Sequence, residues 1–196
     1  MAAADPEADL LRSLRAAREA LVWKLDGLGE YDVRRPLVPS GTNLLGLVKH
    51  VASVEAGYLG DTFGRPFPQL LPWLEEGAEP NADMWATLEE SREQVVDLYD
   101  RVAAHSAVTV ATLALDTVGQ VPWWPPERRE VALHQVHVHV IAETHRHAGH
   151  ADVVRELIDG AAGLRADDDG LPPADPDWWR QHRDRLQRAA ETAAGR

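Results

Sequence analysis

His139-Val140-Ile141-Ala142-Glu143-Thr144-His145-Arg146-His147-Ala148-Gly149-His150-Ala151-Asp152 places four histidines and a glutamate within fourteen residues. Taken as a helix, positions 136, 140, 143, 147, 150, 154 and 157 share one side, because steps of three and four residues complete a turn. Val136, Val140, Val154 and Leu157 make that side apolar, and Glu143, His147 and His150 stand in its middle. A polar group on a core-facing stripe costs about 2–7 kcal/mol unless something pairs with it. A divalent cation is the simplest partner. Glu143 and His147, four residues apart, can reach one ion from one helix. The competing reading is a buried polar network without an ion.

Outward from that stretch, helical periodicity recurs. Leu10, Leu14, Ala17, Leu21, Leu25 and Leu28 predict a first helix over 6–28, ended by Gly27 and Gly29. Ser40-Gly41-Thr42-Asn43 offers capping oxygens for a second helix over 43–60, with Leu44, Leu47, Val48, Val51, Val54 and Tyr58 on its stripe and His50 at the edge. Asn81 or Asp83 can cap a third over 82–105, striped by Met84, Leu88, Val95, Leu98 and Val102. The fourth, over 128–160, carries the histidine cluster. Asp175-Pro176-Asp177 predicts a last helix over 177–194 that docks through Trp178, Trp179, Leu186 and Ala190. No strand alternation or internal repeat is visible. The fold class expected is all-α: one domain, 1–196, built as a four-helix bundle with long connections and an extra C-terminal helix.

Two connections are too apolar to be loose linkers. Residues 61–82 combine Pro66, Pro68, Pro72 and Pro80 with Phe63, Phe67, Leu70, Leu71 and Trp73, which suits a lid over one end of the bundle or a core seal. Val121-Pro122-Trp123-Trp124-Pro125-Pro126 makes a rigid aromatic wall, suited to a pocket edge, an interface or core sealing.

Composition removes several classes. A net charge of −12 opposes nucleic acid as a partner, because phosphate binding needs a basic face. No basic amphipathic segment addresses an anionic membrane, and no run approaches the roughly 18–20 apolar residues of a span. With no cysteine in 196 residues, disulfides, Cys-ligated zinc and a cysteine nucleophile are excluded. Any thiol chemistry must use a small-molecule thiol. The opening Met1-Ala2-Ala3-Ala4-Asp5-Pro6 lacks the basic start and apolar run of a signal peptide, so a cytoplasmic location is expected.

Bundles build metal sites from inward side chains on facing helices. His50 from the second helix, with Glu143 and His147 from the fourth, gives two imidazoles and one carboxylate. Three protein ligands leave a position open, as in catalytic rather than structural zinc sites. Zn2+ is the first choice, and Fe2+ or Ni2+ suits the same set. A lone histidine at a stripe edge such as His50 also reads as a hydrogen-bonded core residue. His139, one turn before Glu143, is an alternative ligand or a group that orients the site. His150, one turn after His147, is a candidate proton carrier or orienting donor. His145 reads as exposed, His134 and His137 as surface or bundle-edge residues, and His105 and His182 carry no signal. No His-Glu-x-x-His, Gly-x-Ser-x-Gly, Walker or dinucleotide glycine pattern appears.

The blocks Ser40–His50 and Glu143–Gly160 resemble the DinB-like superfamily. They are similar to its actinobacterial mini-circle branch, related to mycothiol-dependent maleylpyruvate isomerase and mycothiol S-transferases. The resemblance implies a metal-binding four-helix bundle, often a homodimer. It implies ligands at His50, Glu143 and His147, favouring Glu143 over His139. It also implies mycothiol as co-substrate and a small electrophile as substrate, with His150 or His139 moving the released proton. The function expected is a divalent-metal-dependent thiol transferase or isomerase. The alternatives are a metal-dependent hydrolase of the same fold and a non-catalytic stress-related binding protein.

Overall fold

Asp5 accepts the Ala8 amide and Pro6 needs no amide partner, so α1 (Pro6–Val22) begins where its cap and proline place it. The chain is described here from a computed structural model covering residues 5–173 and 175–195. The opening Met1-Ala2-Ala3-Ala4, read above as lacking a signal peptide, lies outside them. After α1 the helix tightens to a 3-10 turn, Trp23–Leu25, and stops at Gly27 in the left-handed region (φ 73°). A short α2 (Glu30–Arg34) follows. α3 (Leu44–Leu59) starts where Asn43 accepts the Gly46 amide.

All but three of the sixteen residues of α3 are buried, which makes it the axis of the fold. It packs against α4 (Arg92–Thr112) and α5 (Leu133–Asp159), while α1 packs along α5. Leu21, Leu45, Val48, Val51, Tyr99, Ala151 and Val154 share the main core. The three exceptions on α3 are His50, Val54 and Tyr58, which recur every four residues and so line a single face. The all-α bundle is therefore as expected, and four long helices form it. Among the described residues, no helix is long and apolar enough to cross a membrane.

The expected third helix starts too early. Residues 82–84 form only a 3-10 turn, and α4 begins at Arg92, where Ser91 and Gln94 close a capping box. The carbonyls between are taken by side chains. Lys49 Nζ donates to Ala82 O and Trp85 O at 3.0 Å each, and the Arg34 guanidinium donates to Ala86 O, Thr87 O and Glu90 O. A segment whose carbonyls are held this way cannot use them in a helix. Leu88, placed on the helical stripe by its spacing, is 97% exposed.

A small hairpin was also not anticipated. β1 (Val118–Gln120) pairs antiparallel with β2 (Glu130–Ala132), and the second strand delays α5 to Leu133 rather than 128. Strands of three residues are too short to show alternation. At the far end of α5, Leu157 faces solvent instead of the core. α6 (Pro176–Ala193) contributes no buried residue, contrary to the expected docking through Trp178, Trp179, Leu186 and Ala190. Its aromatics satisfy one another: Trp178 stacks on His182 at 4.9 Å and meets Trp179 edge-on.

His137 corrects a further expectation. It is fully buried on α5, not at the surface, and neither ring nitrogen has a hydrogen-bond partner among the described residues. Burial, helped by the Arg18 charge, lowers its pKa from 6.5 to about 4. The imidazole is thus neutral when folded but takes a proton in the unfolded chain below pH 6.5. Stability is complete above that value and falls as pH drops toward 4, by about 3 kcal/mol in all. Urea unfolding of the wild type and His137→Leu across this window checks it. The variant should show a flatter pH dependence; parallel curves would remove His137 as the cause.

Candidate metal centre

The unburied face of α3 meets the middle of α5. His50 comes from the first helix, and Glu143 and His147 from adjacent turns of the second. Each offers one potential ligand atom, and the three lie within 4.8 Å of one another. His147 Nε2 is 3.0 Å from Glu143 Oε1, and His50 Nε2 is 4.0 Å from the same oxygen. The two imidazole rings meet edge to face at 4.7 Å. Glu143 is half-buried, so its carboxylate is neither stranded in the core nor free on the surface.

The remaining ring nitrogens are engaged from behind. His50 Nδ1 donates to Asp83 Oδ2 at 2.6 Å. That bond orients the ring so that Nε2 faces Glu143. The hydrogen bond from His50, chiefly, holds the Asp83 carboxyl below its ordinary range. His147 Nδ1 lies 3.4 Å from His150 Nδ1, on the ring edge away from Glu143. Burial, then the neighbouring His50, lowers the His147 pKa, which favours the neutral imidazole that ligates metals. Two imidazoles and a carboxylate, the rings backed by polar partners, fit a divalent cation of the zinc, iron or nickel type.

Asp83 is the residue that sequence reasoning missed, since it was assigned to a helix cap. Its position depends on the residue beside His50. The buried Lys49 ammonium grips the carbonyls of Ala82 and Trp85, on either side of Asp83, and also pairs with Glu90 at 2.8 Å. Asn43 Nδ2 donates to Met84 O, and a Cβ on Gly46 would lie 1.8 Å from that same oxygen. Only glycine at 46 lets the 82–85 segment lie directly on α3. Nothing in periodicity signals a contact between residues 50 and 83.

A cleft of about 390 Å³ opens beside the cluster. Val54, Tyr58, Leu74 and Trp123 give it apolar walls, and Asp61 and Asp83 supply carboxylates. Asp83 thus touches both the cleft and His50. Of the tryptophan pair, Trp123 lines the cleft and Trp124 braces Tyr58. Trp124 Nε1 donates to the Tyr58 hydroxyl at 3.0 Å, and Trp123 meets the Tyr58 ring at 5.0 Å. From the 61–82 segment, Leu74 lines the cleft, while Trp73 Nε1 anchors to Ser53 Oγ at 2.8 Å. His139 stands outside the three-residue cluster, packed on Tyr58 at 4.6 Å between ring centroids. His150, His145 and His134 are exposed, and His105 bonds Arg65 O away from the cluster.

A helical bundle that gathers imidazole and carboxylate donors from facing helices could hold a metal ion there. Residues 9–160 match the family described as mycothiol-S-transferase, and the chain belongs to that family, within the DinB-like superfamily. No curated protein matches the chain.

Proposed function

We propose that this protein is a divalent-metal-dependent S-transferase that uses mycothiol to conjugate small electrophiles, with zinc as the metal. The observation that supports this reading most is the convergence of His50, Glu143 and His147 beside an apolar cleft in a chain of this family. His50 Nε2, His147 Nε2 and a Glu143 oxygen would hold the cation. When bound, it supplies positive charge that favours the thiolate form of an incoming thiol and fixes the position of the sulfur.

The chain's own groups do the rest. Asp83 keeps the His50 ring in one orientation, and His150 steadies the far edge of His147. His139, packed on Tyr58, would carry the proton released from the thiol, a role His150 can share through the His147 ring. Tyr58 and Trp123 hold the electrophile, and Leu74 keeps water off it. In the transfer the S–H bond breaks and an S–C bond forms. The leaving group departs with its bonding pair, and the proton passes through histidine to solvent.

The test is a panel of low-molecular-weight thiols offered to protein loaded in turn with zinc, iron and nickel, with conjugate formation followed by mass spectrometry. Mycothiol is expected to support turnover with zinc-loaded protein, at a rate that removing the metal abolishes. Conjugation at the rate of the uncatalysed thiol, for every metal, would reject the reading. Hydrolysis of the electrophile without thiol would replace it with metal-dependent hydrolysis.

A further inference from the structure

The cleft beside the cluster has a specific charge and shape. Its carboxylates, Asp61 and Asp83, form no ion pair with any Arg or Lys among the described residues. None of its lining residues is basic. Tyr58 and Trp123 stand nearly perpendicular, at 81°, with ring centroids 5.0 Å apart. An aromatic wall of this kind offers apolar surface for a ring and π-electron density for a cation. Gly57 makes room for this corner, since a Cβ there would lie 2.8 Å from Trp123 Cη2.

We infer that this cleft selects aromatic electrophiles carrying a positive charge, binds neutral ones more weakly and rejects carboxylate-bearing ones. The inference rests on the transferase reading for the word electrophile, but the binding preference stands on the cleft alone. A carboxylated ligand entering here would set a third negative charge beside Asp61 and Asp83, and no basic side chain lines the cleft to offset it. A quaternary ammonium group would instead be drawn to the carboxylates and to the aromatic wall. The discrimination between cation and anion should be about tenfold or more at low ionic strength, and should shrink as salt screens it.

The experiment has two arms. In the first, without thiol, quenching of tryptophan fluorescence reports binding of benzyltrimethylammonium, benzyl alcohol and phenylacetate. Affinity should fall in that order, and Asp61→Lys should flatten or reverse it. Gly57→Ala, a change that helices favour, should weaken all three by pushing Trp123 into the cleft. In the second arm, zinc-loaded protein and mycothiol meet benzyl bromides carrying a para trimethylammonium, methyl or carboxylate group. The sulfur replaces bromide at the benzylic carbon, and rates are divided by the uncatalysed rate of each. The binding order without conjugation would keep the cleft assignment and sink the transferase reading. Conjugation without any charge preference would do the opposite. Equal binding of the three probes, or an Asp61→Lys variant that is folded by circular dichroism yet keeps the wild-type order, overturns the inference.

Discussion

Glu143→Ala should reduce divalent-metal affinity by about a hundredfold or more, since changing even the outer partners of metal ligands typically costs about 10–100-fold. The carboxylate is the only negative donor of the three, and its Oε1 lies within 4.0 Å of both imidazole nitrogens it would join in binding. Removing it leaves two imidazoles and no anionic donor to offset the charge of a cation. His147→Ala should match it, because it empties the second position on the same helix. Asp83→Asn is milder. His50 can still bind, but an amide holds its Nδ1 less firmly than a carboxylate, so a loss of about 10–100-fold is expected. Chelator competition gives the three affinities. Thermal unfolding gives an independent reading, because a ligand at a hundred times its Kd stabilises by about 2.7 kcal/mol. The wild type should lose that increment on adding chelator, and Glu143→Ala should never show it. Unchanged metal content in Glu143→Ala and His147→Ala would remove both residues from the ligand set.

What the sequence revealed and what it hid follow from the range of each interaction. Glu143 and His147 were legible because four-residue spacing on one helix is a local property. His50 was legible as an edge residue, but its partner was not. The bond to Asp83 spans 33 residues and depends on Lys49 and Arg34 drawing the backbone of 82–90 away from helical pairing. Asn81 and Asp83 therefore looked like caps, although the Ser91–Gln94 box is the one the chain uses. The β1–β2 hairpin escaped because three-residue strands have no period to read. His137 escaped for a different reason. Flanked by exposed His134 and Val138, it looked like a surface residue, yet it is completely buried, with the Arg18 charge of α1 near enough to lower its pKa. The aromatic walls were visible as composition, and only their placement against Tyr58 turns them into a cleft.

Breaking the ion pair between α1 and α3 should give the largest loss of stability in the molecule, about 3–5 kcal/mol for one partner removed. Arg18 Nε donates to Glu55 Oε2 at 2.9 Å, and Arg18 Nη2 also meets Glu55 Oε1. Glu55 has no solvent exposure, whereas the Arg18 side chain keeps 17% at a groove between α1 and α4 that Tyr99 also lines. The two partners are therefore not equivalent. Glu55→Gln leaves a guanidinium that can turn toward water in the groove, so its cost belongs at the lower end. Arg18→Met strands a carboxylate with no route to solvent, so its cost belongs at the upper end. The double variant Arg18→Met/Glu55→Leu should recover much of either loss, because apolar side chains of similar volume avoid desolvating two charges. Urea unfolding of the three variants measures each cost against the wild type. Equal costs for the two single changes would contradict the asymmetry read from their exposure. Losses below about 1 kcal/mol would give the pair the strength of a surface salt bridge rather than a buried one.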